Sequence, residues 1–251
     1  KTTGNDSAAG TSDATAWQSI ARVNTAQSTL APGDQVLFRS GDTFVGTLTL
    51  TKSGTSTGGA ITYGAYGAGA KPVISGFTPV TTWSSVGTNL YEASWPGALT
   101  TINSFVLGGV TQPLGRYPKI TEPNRGYLTF EGHTGDTVLI DSALSSAPSL
   151  VGGEVVIRMV HWLFHRATVT QQTGNSVTFS PVVASPAVYP LKNGFGYFIQ
   201  NHPATLTQNG DWYYTTAGRK IGLYSTNAPP TAKVATLTNL ATLSTRAFIT
   251  F

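Results

Sequence analysis

The sequence predicts an all-β chain in which a β-solenoid opens, an antiparallel β-sandwich interrupts it, and the solenoid resumes. Three observations lead there. Charged residues make up only 10% of the 251 residues, with Gly, Thr and Ser supplying polarity, which excludes a coiled coil or long-helix protein. Between Gln35 and Gly76, strands of a few residues alternate with Gly-rich corners. From Trp83 onward, the strands lengthen and pair like hairpins.

The opening stretch, Gly4 to Asp13, is a polar loop by composition. Thr15-Ala-Trp-Gln18 reads as a capping box, and Trp17, Ile20, Ala21 and Asn24 recur at helical spacing. That helix would cover the open end of a solenoid, where unpaired backbone and apolar side chains need shielding. Short strands follow at Gln35–Arg39, Thr43–Leu50, Ala60–Tyr63 and Pro72–Gly76, and the step from Val36 to Ile61 suits one three-stranded coil. The sandwich is expected from Leu90–Ser94, Ser104–Gln112 with its Gly108-Gly109 turn, Asp136–Asp141, one long strand from Glu154 through Trp162 to Val169, Ser176–Phe179, Gly196–Ile199, Asp211–Tyr214 and Ile221–Tyr224. Pro229-Pro230 closes it, and Val234–Thr238, Ala241–Leu243 and Phe248–Phe251 return to the earlier style. The expected division is a cap with first coils over 1–80, the sandwich over 81–230 and resumed coils over 231–251. A coil ending at Phe251 would leave its stacking face open, so the protein is expected to continue beyond it.

The charge balance is 15 basic against 11 acidic residues, a net +4 spread thinly, with Arg219-Lys220 the densest spot. No basic stripe with interleaved aromatics is present, so nucleic acid is not an expected partner. No apolar run reaches the length of a membrane span. Cysteine is absent, which excludes disulfides and thiolate metal sites; with the Thr-, Ser- and Asn-rich composition this suits a secreted, extracellular or cell-surface bacterial protein. The chain opens inside a polar loop, so any leader lies outside it.

Gly4-Asn-Asp-Ser, Pro32-Gly-Asp-Gln-Val-Leu-Phe-Arg39-Ser-Gly-Asp42, Ile61-Thr-Tyr-Gly-Ala-Tyr-Gly67, Phe105-Val-Leu-Gly-Gly109, Leu114-Gly-Arg-Tyr-Pro118, Asp211-Trp-Tyr-Tyr214 and Phe248-Ile-Thr-Phe251 together resemble the right-handed parallel β-helix proteins of the pectate-lyase-like class. The type that fits is the carbohydrate-active one whose early coils are interrupted by a β-sandwich, as in xylosidase- or fucosidase-type glycoside hydrolases. The resemblance implies an N-terminal capping helix, a polysaccharide or oligosaccharide partner, and catalytic carboxylates in coils downstream of the returning Phe-Ile-Thr-Phe strand. No catalytic residue is therefore carried onto a numbered position. The expected function is the N-terminal part of a glycoside hydrolase or polysaccharide lyase, completed by the rest of its own chain beyond Phe251. The alternative is a non-catalytic β-helix adhesin, surface or spike protein.

Each candidate residue also has an ordinary structural role open to it. Glycosidase chemistry needs two carboxylates roughly 5 to 9.5 Å apart. Asp34 and Asp42 sit beside turn glycines, and Glu131, Asp136 and Asp141 cluster near Gly132 and Ser142, so turn capping is the expected role. His161 and His165 have a helical metal spacing but fall in a strand-like segment, where four residues span roughly 13 Å. Calcium is the one cofactor considered, at the oxygen-rich Asn5, Asp6 to Asp13 loop, where Asx turns are the preferred reading. No metal site is assigned. Trp83, Trp95, Tyr117, Trp162, Tyr197, Trp212, Tyr213 and Tyr214 are expected mainly in the core, Tyr213 and Tyr214 on opposite faces of one strand. Arg116 and Tyr117, on a loop ahead of Pro118, are the expected substrate-binding pair. Gly-x-Ser-x-Gly, P-loop and dinucleotide motifs are absent.

Overall fold

The computed structural model describes residues 1–97, 99–181 and 189–251. The all-β class holds, with helix confined to short segments. The chain divides into two compact units: a terminal unit of Lys1–Thr78 with Ala235–Phe251, and a central unit of Pro79–Val234.

The strands named in the terminal unit pair in parallel. Gln35–Arg39 lies beside Ile61–Tyr66, which in turn pairs with Ile249–Thr250. Thr43–Val45 pairs with Val73–Ser75, and Leu48–Leu50 with Ala241–Leu243. Val36 stands opposite Tyr63 rather than Ile61. Both registers would keep the apolar residues inward, because the side-chain period is two. The Thr62 amide, donating to the Asp34 carbonyl at 2.9 Å, fixes the longer step. Ile20, Phe38, Phe44, Leu48, Ile61 and Tyr63 fill the interior, with the Phe38 and Phe44 rings edge-on at 5.0 Å.

The helix runs over Ile20–Ala26, later than the Thr15-Ala-Trp-Gln18 pattern predicts. Ser19 is the N-cap, its hydroxyl accepting from the Arg22 amide at 3.1 Å. Thr15 is spent within the preceding loop, on Ser12. Trp17 therefore packs outside the helix, its indole donating to the Ala8 carbonyl under the Arg22 guanidinium. Asn24 ties the helix to the strand Leu48–Leu50, its amide donating to the Thr47 carbonyl and its oxygen accepting from the Thr49 amide, both at 2.8 Å.

The central unit is antiparallel and holds most of the strands, so parallel pairing describes only part of the chain. Phe105–Leu107 and Val110–Gln112 form the expected hairpin, with Gly108 and Gly109 both at positive φ. Ala232–Ala235, expected among the resumed coils, instead lays Ala232, Lys233 and Val234 antiparallel against Phe105–Leu107. An eight-stranded sheet is organised around the long strand Leu163–Thr173. Its first half pairs with Glu154–Val160 and its second with Ser176–Phe179, with a register shift between Val169 and Gln171 inside the second pairing. Such a shift bends a strand, which lets one strand serve two pairings. Leu139, Val155, Ile157, Val177, Phe179 and Tyr197 form the core beneath. A second core joins Trp212, Tyr214, Ile221 and Leu223 to Phe105, the Phe105 and Trp212 rings stacked at 5.2 Å.

The single long strand expected from Glu154 to Val169 is a hairpin, turning at His161 and Trp162. Gly, Pro and Asn are absent from that turn, so composition does not announce it. The Arg158 guanidinium closes it by donating to the His161 carbonyl at 2.6 Å.

Candidate functional site

Within the central unit, an open cleft of about 670 Å³ lies where the chain leaves the edge of the eight-stranded sheet and returns to it. The departing strand Arg116–Tyr117 and the returning Leu128–Thr129 both pair with Gly196–Gln200, Arg116 opposite Gln200 and Leu128 opposite Tyr197. Arg116 and Tyr117 therefore sit on a sheet edge rather than on a free loop, and both line the cleft.

The loop between them is tightly folded. Glu122 is extended ahead of Pro123, as a residue before proline prefers. Asn124, Arg125 and Gly126 then occupy the left-handed region at φ 55°, 54° and 67°. Such conformations are costly for residues other than Gly, least so for Asn, and persist where surrounding contacts enforce them. Gly126 is required on a second ground: a Cβ there would lie 2.1 Å from the Lys119 carbonyl oxygen.

Arg116 clamps this loop. Its Nε donates to the Pro118 carbonyl at 3.0 Å and its Nη2 to the Gly126 carbonyl. Its guanidinium carbon stands 3.7 Å from the Phe198 ring centre and 5.3 Å from that of Tyr127. Burial holds its pKa below the ordinary arginine value, and Tyr127 opposes that shift. Lys119, by contrast, is an internal strut, its ammonium 2.5 Å from Asp211 and donating also to the Thr205 carbonyl. The same Asp211 oxygen accepts from the amides of Thr207 and Gln208. The cleft thus offers a fixed guanidinium, the Tyr117 and Tyr127 rings, the Glu122 carboxylate and the paired Lys119. Aromatic faces beside fixed polar donors suit a ligand with apolar faces and polar edges.

The acids behave mostly as turn caps. Asp34 accepts from the Ala31 amide, Asp136 from Leu191, and Asp141 from Ala143 and the buried Tyr197 hydroxyl. Glu131 accepts from the amide and hydroxyl of Ser142. In the considered calcium loop, Asn5 accepts from the Ser7 amide, while Asp6 takes the amides of Gln18 and Ser19 and the Ser19 hydroxyl. Asp13 is held by Lys1 and the Tyr66 hydroxyl. Among the described residues, no three His, Asp or Glu side chains gather as a metal site. The two histidines diverge: His161 is exposed in the hairpin turn against the Phe195 ring, whereas His165 is buried on the core side.

Most of the aromatics expected in the core lie there. Tyr213 and Tyr214 are both buried, bonding Glu92 and the Leu99 carbonyl respectively, because both faces of their strand are covered. Trp162 is the exception, 76% exposed at the hairpin turn. Tyr127, Phe164 and Phe198 were not singled out by sequence. Alternation along Gly196–Gln200 carried a signal for Phe198, since buried Tyr197 and Ile199 must direct it to the other face.

No family model and no curated protein matches this chain. Two solved structures do. One, described as "Glycoside hydrolase", superposes with a TM-score of 0.72 over 98% of this chain and 48% of its own, at 16% identity. The other, described as "The complex structure of XylC with xylose", gives a TM-score of 0.46 over 98% of this chain and 33% of its own, at 15% identity. The first likeness establishes a shared fold, one carried by a carbohydrate-active protein. This chain spans about half the length of that glycoside hydrolase.

Proposed function

We propose that this chain is the N-terminal part of a secreted or cell-surface polysaccharide-active enzyme, a glycoside hydrolase or polysaccharide lyase. In this reading, the terminal unit is the capped start of a right-handed parallel β-helix, the central unit is an inserted β-sandwich, and the cleft at Arg116 and Tyr117 contacts sugar. The observation that carries it is the fold shared with a glycoside hydrolase across nearly the whole chain. Two features of the chain support it. Leu48–Leu50 and Ile61–Tyr66 pair in parallel with strands that follow the central unit in sequence, as stacking coils would. The cleft presents aromatic rings beside a fixed guanidinium.

This reading assigns the reacting carboxylates to coils beyond Phe251, since the chain spans about half the length of that glycoside hydrolase. Hydrolysis there would use a carboxylate pair, and elimination a base with a cation to stabilise the carbanion. Incubating the full-length protein with a panel of polysaccharides tests this. New reducing ends or the absorbance of an unsaturated product are expected. Release of neither, with retained binding, would favour the adhesin alternative. The cleft itself is tested by Tyr127→Ala, expected to weaken oligosaccharide binding about tenfold, in the range of one lost aromatic contact, while Tyr127→Phe, which keeps the ring, should retain most of the binding and the melting temperature.

A further inference from the structure

Part of the cleft wall, at Ala204, Thr205 and Thr207, is built by a short 3₁₀ turn over Pro203–Thr205. The turn anchors its neighbours: the Thr205 carbonyl accepts from the Lys119 ammonium, and the Thr207 amide donates to Asp211. Its N-cap is a histidine. His202 Nδ1 accepts from the Ala204 amide at 3.1 Å, and the His202 carbonyl accepts from the Thr205 amide at 2.9 Å and the Thr205 hydroxyl at 2.6 Å. Ser, Thr, Asp and Asn are the usual caps, and their oxygens accept throughout the neutral range. An imidazole nitrogen accepts only while it carries no proton.

The ring is half-buried in a fixed setting. The Val151 carbonyl also accepts from it, so a neutral imidazole with its proton on Nε2 satisfies both contacts. Gly153 packs close by, a Cβ there falling 3.2 Å from the His202 Cβ. The preceding Asn201 holds φ 58°, its amide donating to the Gly115 carbonyl at 2.9 Å and its side-chain oxygen accepting from the Tyr214 amide at 2.8 Å. The charged groups of the adjoining elements are engaged elsewhere: Glu154 with Gln200 and Arg166, Arg116 with the Pro118 and Gly126 carbonyls, and Lys119 with Asp211. Burial lowers the His202 pKa from its ordinary 6.5, so the fold favours the neutral ring. A group lowered in this way contributes stability that is complete above the ordinary value and lost as pH falls through the folded one.

We propose that His202 is an acid-sensitive latch on the cleft: neutral, it caps the Pro203–Thr205 turn and holds that wall; protonated, it turns an N–H toward the Ala204 amide and releases the turn, together with the carbonyl that holds Lys119. The latch concerns the wall and not its ligand, so it stands or falls independently of the carbohydrate function proposed above. The test is amide hydrogen exchange, read by mass spectrometry on the ligand-free full-length protein from about pH 8 to about pH 5 and corrected for the intrinsic pH dependence of exchange. Protection over Pro203 to Thr207 is expected to fall about fivefold or more across that range, while the turn Ser142–Ser146, capped by Asp141 instead of an imidazole, keeps its protection. His202→Asn keeps a capping oxygen and cannot titrate, so its turn is expected to stay protected at both ends of the range. His202→Ala, with no cap at any pH, is expected to be poorly protected at both. Wild-type protection that does not change with pH would overturn the latch. So would an equal fall in His202→Asn, which would assign the acid response to another group, such as the exposed His161.

Discussion

The terminal and central units solve the problem of pairing short strands in different ways. In the terminal unit, strands of two to six residues find parallel partners far along the chain, as when Ile249 meets Ile61. Little of that order is local, so it depends on capped corners and on Asn24 and Asp6 clamping the helix in place. In the central unit, neighbouring strands pair antiparallel through tight turns, and large aromatics such as Trp212 and Tyr197 fill the cores. Local pairing leaves the sheet edge free to carry an irregular loop, and the cleft is built there. The strained backbone of the cleft, at Asn124 to Gly126, lies in that irregular loop.

The contrast is tested most strongly at the cores. Trp212→Ala removes a ring that is 1% exposed, stacked on Phe105 and bonded to the Gln112 carbonyl, and should cost about 3–5 kcal/mol. Leu48→Ala, fully buried in the terminal unit, should cost about 2–5 kcal/mol. Denaturant midpoints with unchanged m-values would measure both, and amide exchange would locate each loss. Loss of protection confined to the wrong unit would break the division.

A pair of glycines sharpens the claim about strain. Gly126→Ala meets both a positive φ and the Lys119 carbonyl, so about 2–3 kcal/mol is expected, together with weakened oligosaccharide binding as Arg116 loses its clamp. Gly135→Ala, at φ +54° but with nothing within 4 Å, should cost only about 1 kcal/mol and leave binding unchanged. Equal costs would mean that φ alone governs Gly126.

What the sequence revealed follows from how local each signal was. The Gly108-Gly109 hairpin was legible because both glycines are needed at positive φ, and the inward Val36, Phe38, Ile61 and Tyr63 because alternation marks them. The helix start was misplaced because Thr15 and Ser19 are both competent caps, and only the distant Asp6 decides between them. The hairpin at His161 and Trp162 was invisible because its turn is closed by Arg158 rather than by turn residues. Arg116 and Tyr117 were picked out from their own segment, but their surroundings come from Tyr127, Phe164 and Phe198, which only the strand register brings to one face.

Capping gives a smaller test. Asp6→Ala should remove acceptors from the Gln18 and Ser19 amides and from the Ser19 hydroxyl, at about 1 kcal/mol. Helical circular dichroism and the melting midpoint would read it, and Asp6→Asn should restore part of the loss by keeping one acceptor oxygen.

The smallest expected effect is a dependence on pH. Lys220, with a further hydrogen bond from the Tyr213 hydroxyl, holds the Glu92 carboxyl below its ordinary value of 4.5. A depressed folded-state pKa contributes stability that is complete above the unfolded value and lost as pH falls through the folded one. The central unit should therefore lose stability below about pH 4.5 through this group, and Glu92→Gln should flatten that limb while lowering the neutral-pH plateau slightly. Asp6, whose carboxyl is lowered chiefly by the Ser19 hydroxyl, predicts the same sign in the terminal unit from an ordinary value of 3.8. Acid titration of amide protection should then show Glu92→Gln altering only the central strands and Asp6→Asn only the terminal helix. If either variant moved both limbs together, the acid response would belong to the chain's overall charge rather than to these two contacts.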